Sequence, residues 1–390
     1  MNLNNKLFIA LLSLFFFWAL AHNLNPILIA KLKASFALSD TKAILVDSAF
    51  YIAYFIMALP SAHLIGRMGY QKTILMGLGL FALGILSFIP ASFFESYAVF
   101  LGALLMIGLG ITMLEAAANP LITRISSEDQ QVYRLNLAQS FNGLGAVVAA
   151  GLGGYLLLDD QDKNLPLQTQ PFLILGALIL MLMLFFKSIK FPVLQVVGQD
   201  NATPSASVFK TKAFTLAVVA QFFYVGSQIG VASFFIRYMG QYFAQSVQQS
   251  AYLLSMSLVL FTGGRFIGSA LMRKWPADRV LFIFSICAMI CTLGVINVQS
   301  LSFYFILVLP FFMSIMFPTI FALGIGSLQN NKERGGAWIV MTISGGAVIP
   351  FGMAQLAQWS GQLSGCYALP LLGFGVVAFF AFYYKQLINE

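Results

Sequence analysis

Stretches of about 20 apolar residues recur down the chain, and no other feature constrains its fold as tightly, because a helix of that length is what crosses roughly 30 Å of hydrocarbon. Twelve are legible, over residues 7–30, 42–65, 73–92, 97–122, 134–158, 171–189, 213–238, 248–272, 279–297, 301–326, 335–358 and 363–384. Open strands would leave backbone N–H and C=O groups unpaired in lipid, so each stretch reads as helix. Composition leaves no soluble alternative: 59% hydrophobic residues, 9% charged ones and 39 phenylalanines in 390 positions give too little charge to coat a globule of this size. The first stretch, preceded by Lys6, has the outline of a secretory signal, but it runs past His22 to Ala30, too long for a cleaved apolar core. The expected fold is an all-α polytopic membrane protein with twelve transmembrane helices.

A formal charge of +8 raises nucleic acid as a partner, and its distribution argues against it. With the N-terminus inside, the flanks of the stretches put Lys6, Arg67, Lys72, Arg124, Arg134, Lys187, Lys190, Lys210, Lys212, Arg273, Lys274, Arg279, Lys332, Arg334 and Lys385 on the inner face. Lys31, Lys33, Lys42, Lys163 and Arg237 fall outside, and Arg265 lies within a span. That asymmetry is the positive-inside signal, so both termini are expected in the cytoplasm and the lipid bilayer, not nucleic acid, is the partner. Of three cysteines, Cys287 and Cys291 stand one helical turn apart and read as packing residues, with no disulfide framework. Two histidines without carboxylates at ligand spacing make no zinc site, and neither a Ser/His/Asp arrangement nor a phosphate-cradling loop is present in the sequence pattern. The chain therefore does not read as an enzyme or a nucleotide-driven pump.

The longest polar stretch, "KFPVLQVVGQDNATPSASVFKTK", divides the chain near its middle. Residues 1–190 and 213–390 are expected as two six-helix bundles joined by a cytoplasmic linker, 191–212. The halves echo each other: "GAVV" at 145–148 and "GAVI" at 346–349 each follow an inner-loop arginine, Arg134 or Arg334, by about a dozen residues. Two pseudo-symmetric bundles suit a carrier that rocks about a central site.

Polar groups inside the spans mark where that site lies, since an ionisable side chain at the bilayer centre costs about 2.5–3.5 kcal/mol on insertion scales. Glu115 in "MLEAAANPLIT" has Asn119 one turn later, and Asn136, Gln139 and Asn142 follow one another at intervals of three along helix five. A carboxylate among amides suits hydroxyl groups; the alternative is amides that bridge helices. In the second half Gln221, Tyr224 and Gln228 share one face of helix seven, a pattern suited to a sugar's hydroxyls and apolar ring face. Phe317, Pro318 and Thr319 on helix ten and Trp338 and Thr342 on helix eleven are weaker candidates, with Trp338 included among the expected sugar contacts. Arg265, about seven residues from the inner end of helix eight, reads as a gating residue that pairs with helix-end carbonyls or a loop acid, and Arg67 in the loop "GRMGYQK" as a second. His22 is either a relay or a satisfied packing residue.

The segments "ALAHNLNPIL", "SAFYIAYF", "LEAAANPLIT", "RLNLAQSFNGLGA", "AQFFYVGSQIGVASFFIRY", "GRFIG", "SIMFPTIFALGIGSL" and "GAWIVMTISGGAVIP" resemble the fucose:proton symporter family of the major facilitator superfamily, which also holds glucose/galactose and N-acetylglucosamine permeases. The loop "GRMGYQK" resembles the superfamily's signature, with Gln71 where a basic residue is commoner. The resemblance implies uptake of a monosaccharide, a hexose or derivative, by alternating access in a bacterial-type cytoplasmic (inner) membrane, with a coupling ion in place of any cofactor and a monomer as the default. It implies that Glu115 and Asn142 contact or couple to sugar, and it puts "YVGSQ" in the cavity. One departure matters: the family's helix-one motif ends Asn-Asp, and here it reads Asn25-Pro26. Asp47 on helix two falls at the depth of Asn25, and with Ser48, Asn23, Asn25 and carbonyls freed by Pro26 it offers the oxygen ligands of a small hard cation. The expected ion is therefore sodium, bound at Asp47; the alternatives are proton coupling through Asp47 or Glu115, or Asp47 as a plain helix-start residue. A drug exporter on the same fold would carry a larger apolar cavity and fewer amides, and a channel would need a charged ring.

Overall fold

The computed structural model describes residues 3–23, 40–94, 96–158, 170–192 and 205–389. They form fourteen α-helices: α1 (Leu3–Asn23), α2 (Asp40–Leu86), α3 (Phe88–Phe93), α4 (Tyr97–Arg124), α5 (Gln131–Leu158), α6 (Gln170–Ser188), α7 (Lys212–Phe243), α8 (Val247–Leu271), α9 (Ala277–Asn297), α10 (Ser302–Met313), α11 (Met316–Gly326), α12 (Lys332–Met341), α13 (Gly345–Ser360) and α14 (Ala368–Asn389). Helix α1, the two arms of α2, α4 to α9, α10 with α11, α12 with α13, and α14 make the twelve crossings. Eight of the described helical spans are long and apolar enough to cross a membrane, and α1 and α6 supply shorter apolar helices.

The departures from twelve plain rods have local causes. Helix α2 holds 47 residues, about 70 Å at 1.5 Å per residue, more than twice the hydrocarbon thickness. Where the sequence suggests a loop at 66–72, helical turns run on and the chain reverses at one residue, Gly69, with φ 82° and ψ 170°, a conformation that L side chains rarely adopt. Gln71, which stands where the family pattern favours a base, donates from Nε2 to the carbonyls of Phe186 (3.1 Å) and Ile189 (2.9 Å) and so closes the end of α6.

The tenth crossing breaks between α10 and α11. Pro318 has no N–H to offer the carbonyl four residues back, Ser314, and that carbonyl turns to a side chain from another helix. The eleventh crossing breaks at a 3-10 turn, Thr342–Ser344, ahead of Gly345, Gly346 and Pro350. Helix α8 starts on a capping box, with Ser246 Oγ accepting from Gln249 N and Gln249 Oε1 from Ser246 N.

Two apolar cores hold the helices together. One gathers α1, α2, α4, α5 and α6; the other gathers α7, α9, α10, α13 and α14. Small residues set matching contacts in each: α5 touches α1 where Gly145 meets the Phe16 carbonyl and Ala19, and α13 touches α7 where Gly345 meets the Phe222 carbonyl. The first core runs on into Phe321, Ile325, Ala337 and Val340 of the second half, so the halves are packed together on the side of the basic helix ends. Along the same side α5 and α8 form an antiparallel seam, with the Arg273 guanidinium 5.2 Å from the Tyr133 ring and Thr262 against Gly143. At the Gly143–Thr262 end of this seam the halves part around a cavity.

Candidate functional site

The cavity has a volume of about 240 Å³, just under the roughly 300–1,000 Å³ usual for small-ligand sites. Helix α4 brings Glu115 to it, α5 brings Gln139 and Asn142, α7 brings Gln228, and α1 brings Asn23. Trp18, Tyr54, Phe261 and Phe317 supply aromatic wall. Glu115 is 8% exposed; its Oε1 accepts from Tyr54 Oη at 3.0 Å, and its Oε2 has no partner. A buried carboxylate with one oxygen held and one bare is poised to take a proton or a ligand hydroxyl.

Arg265, from α8, stands in the cavity wall. Its Nε donates to the Ser314 carbonyl freed by Pro318, at 3.2 Å, and its Nη1 donates to the Gln139 carbonyl and to Asn142 Oδ1, at 3.3 Å. Its guanidinium carbon lies 4.5 Å from the centre of the Phe261 ring. The Ser314 carbonyl caps the end of α10, a helix-end carbonyl of the kind expected from the sequence, though α10 ends in mid-crossing; the Gln139 carbonyl lies within α5. Among the described residues no loop acid is a hydrogen-bond partner of Arg265, which thus straps the second half to the first at the level of the cavity. Asn142 also reaches the Phe15 carbonyl, at 3.5 Å, and Asn23 Nδ2 donates to the Ala19 carbonyl at 2.8 Å.

Four other expected sugar contacts stand elsewhere. Asn119 is fully buried below the cavity, its Oδ1 3.5 Å from Gln139 Nε2. Gln221 is fully buried and is not among the residues lining this cavity, with neither Nε2 nor Oε1 bonded. Tyr224 is fully buried too, and its hydroxyl donates to the Met313 carbonyl at 2.9 Å, which makes it a tie between α7 and α10. Trp338 packs edge-on against Phe209, with ring centres 5.0 Å apart, near the linker. Asn136, expected beside Gln139, instead crosses to the second half and donates to Thr319 Oγ1 at 3.1 Å.

Among the expected cation ligands, Asn25 lies outside the described residues, and Asp47 and Ser48 lie on α2 with side chains outside them, as does His22 on α1. Among the described residues no group of three or more His, Cys, Asp or Glu could hold a metal ion.

A contact that the sequence did not single out closes the basic face. Glu333, at the start of α12, is 6% exposed; its Oε1 accepts from Tyr70 Oη at 2.8 Å and pairs with Arg124 Nη2 at 2.7 Å. Arg67, the residue expected to gate, is exposed. In "NKERGG" Glu333 looks like a solvated loop charge, and only the fold reveals it as buried between halves. Trp18 and Tyr54 were also missed. A signal existed for Trp18, an indole in mid-span where most membrane tryptophans seek the interface.

The Major Facilitator Superfamily model matches residues 7–353. The L-fucose-proton symporter of Escherichia coli (strain K12) is 35% identical, covering 97% of this chain and 93% of that protein. The glucose/galactose transporter of Brucella abortus biovar 1 (strain 9-941) is 32% identical, covering 94% and 91%. The crystal structure of a Major Facilitator Superfamily transporter, FucP, in the outward conformation superposes with a TM-score of 0.91 at 33% identity, covering 98% of this chain and 99% of that one. These relatives are membrane carriers and not enzymes, and the twelve crossings and the cavity between their halves fit that. The chain is a multi-pass membrane transporter that belongs to the Major Facilitator Superfamily, within its fucose:proton symporter family.

Proposed function

We propose that the chain imports a monosaccharide together with protons, by alternating access, through the cavity that holds Glu115. The observation that carries this is the carboxylate itself: Glu115 has one oxygen on Tyr54 and the other unpaired, in a cavity lined by amides that suit hydroxyl groups. Gln139, Asn142, Gln228 and Asn23 offer donors and acceptors, and Trp18 and Phe261 offer apolar faces for a sugar ring. The names of the relatives, a fucose-proton symporter and a glucose/galactose transporter, support both the cargo and the ion. Sodium, the ion expected from the sequence, draws no support from those names.

The bundles are residues 1–190 and 213–390, with 191–212 as linker, and the working unit is a monomer. The basic face is cytoplasmic, on the positive-inside bias, so both termini lie inside. The seal at Glu333 and the likeness to a structure in the outward conformation support an outward-facing state.

Labelled L-fucose, D-galactose and D-glucose, offered to proteoliposomes under an imposed pH gradient with choline replacing sodium, test the reading. Accumulation should follow the proton gradient and ignore sodium. Accumulation that needs sodium, or uptake of none of the three, would overturn it.

A further inference from the structure

Below the cavity, toward the basic face, lies a layer of buried amides that the cavity does not use. Asn119 is one turn beyond Glu115 on α4, and Asn136 one turn before Gln139 on α5. On α7, Gln221 is two turns before Gln228 and shares its face. Two contacts bracket its level: Tyr224 reaches the Met313 carbonyl and Ala217 abuts Gly324, so Gln221 lies level with Phe317 and Thr319. Thr319 is the residue to which Asn136 donates, and Gln139 links to Asn119. Four helices thus contribute to one stratum.

That stratum is closed off and its side chains are only partly paired. Asn119, Asn136 and Gln221 are fully buried, and Asn119 Nδ2, Asn136 Oδ1, Gln221 Nε2 and Gln221 Oε1 have no partner. Buried polar atoms are nearly always paired, and each unpaired one destabilises the fold. Side chains kept only for packing would be apolar at such positions. Two bare donors and two bare acceptors without a charge match hydroxyl groups, which both give and take hydrogen bonds, and match an ion poorly.

We infer that Asn119, Asn136, Gln221 and Thr319 form a second sugar station between the cavity and the basic face, collapsed in this state and assembled around the cargo when the seal at Glu333 parts. The inference rests on the proposed transport of sugar. It gives the amides that miss the cavity their role in release: a sugar leaving Glu115 finds its hydroxyls met again one to two turns further on.

The test is Gln221→Leu, with Gln221→Met as a second variant, in proteoliposomes of fixed orientation. Exchange of whichever of labelled L-fucose, D-galactose or D-glucose the wild type carries is read at each face, and the Tm of each variant is measured. The station predicts that KM at the cytoplasmic face rises about tenfold, as for one lost hydrogen bond of about 1.4 kcal/mol, while KM at the outer face holds and Tm holds or rises. Equal KM changes at both faces, an unchanged cytoplasmic KM, or a lowered Tm with face-independent kinetics would overturn the station and leave the transport reading standing. A wild type that carries none of the three sugars overturns both.

Discussion

Glu115 accepts from a tyrosine with one oxygen and leaves the other without a hydrogen bond, and mutation can separate those two roles. Glu115→Gln keeps the shape and an acceptor but cannot release a proton, so sugar counterflow should survive while accumulation against a gradient is lost, measured on the same vesicles. Tyr54→Phe removes one charge-assisted bond, worth about 1.5–3 kcal/mol, and should raise the KM for sugar roughly tenfold or more. Tyr224→Phe tests the opposite case. Its hydroxyl ties α7 to the Met313 carbonyl, so thermal unfolding should show a loss of about 1 kcal/mol with KM unchanged. At this scale the sequence was informative about faces and silent about depth. Gln221, Tyr224 and Gln228 do share a side of α7, yet only Gln228 reaches the cavity, because periodicity fixes the direction of a side chain and not the level at which the halves close. Glu115 and Asn142 were legible because polar groups are scarce in apolar spans and each therefore needs a partner or a cavity. Asn25, Asp47 and Ser48 stay outside the described side chains.

Helix interruptions carry the next level of the mechanism. Pro318 withholds a donor from Ser314, and Arg265 takes up the freed carbonyl while also holding the Gln139 backbone across the divide. Pro318→Ala should restore the intrahelical bond, straighten α10 into α11 and slow turnover, with Tm equal or higher. A turnover unchanged from wild type would argue that the break serves packing alone. Helix α12 bears the other hinge contact: Glu333 bonds Tyr70 and Arg124 from the opposite half, and Gly336 lies so close to Pro120 that an added Cβ would sit 2.7 Å from its Cγ. Glu333→Gln weakens a charge-assisted pair worth about 1.5–3 kcal/mol, a shift of about 10- to 150-fold in the balance between states. Single cysteines at the basic-face ends of α5 and α8 should then label faster with a membrane-impermeant thiol reagent in inside-out vesicles. The spans themselves were plain in the sequence, since about 20 apolar residues admit one reading. The breaks at 314–315 and 342–344 were not, because proline and glycine are tolerated within membrane helices and a hydropathy pattern does not register them. The bend at Gly69 was anticipated only as a loop.

For the molecule as a whole, the two cores and the ties between them describe a carrier held shut on one side. The first core extends into the second half, the Glu333 cluster lies on the basic side, and the upper end of the α5–α8 seam and the Arg265 strap stand in the cavity wall. A ligand that moves such a carrier must bind the two states differently, and one bound equally by both would shift nothing. The bare atoms of the amide layer offer that difference for sugar, and the bare oxygen of Glu115 offers it for a proton. The most direct measurement is therefore of the ion itself: sugar-evoked proton entry, followed with a pH-sensitive dye trapped in sodium-free proteoliposomes. In wild-type vesicles the lumen should acidify when sugar is added, whereas Glu115→Gln vesicles should exchange sugar without acidifying. Acidification that persists in Glu115→Gln, or wild-type sugar entry with no proton movement, would contradict it.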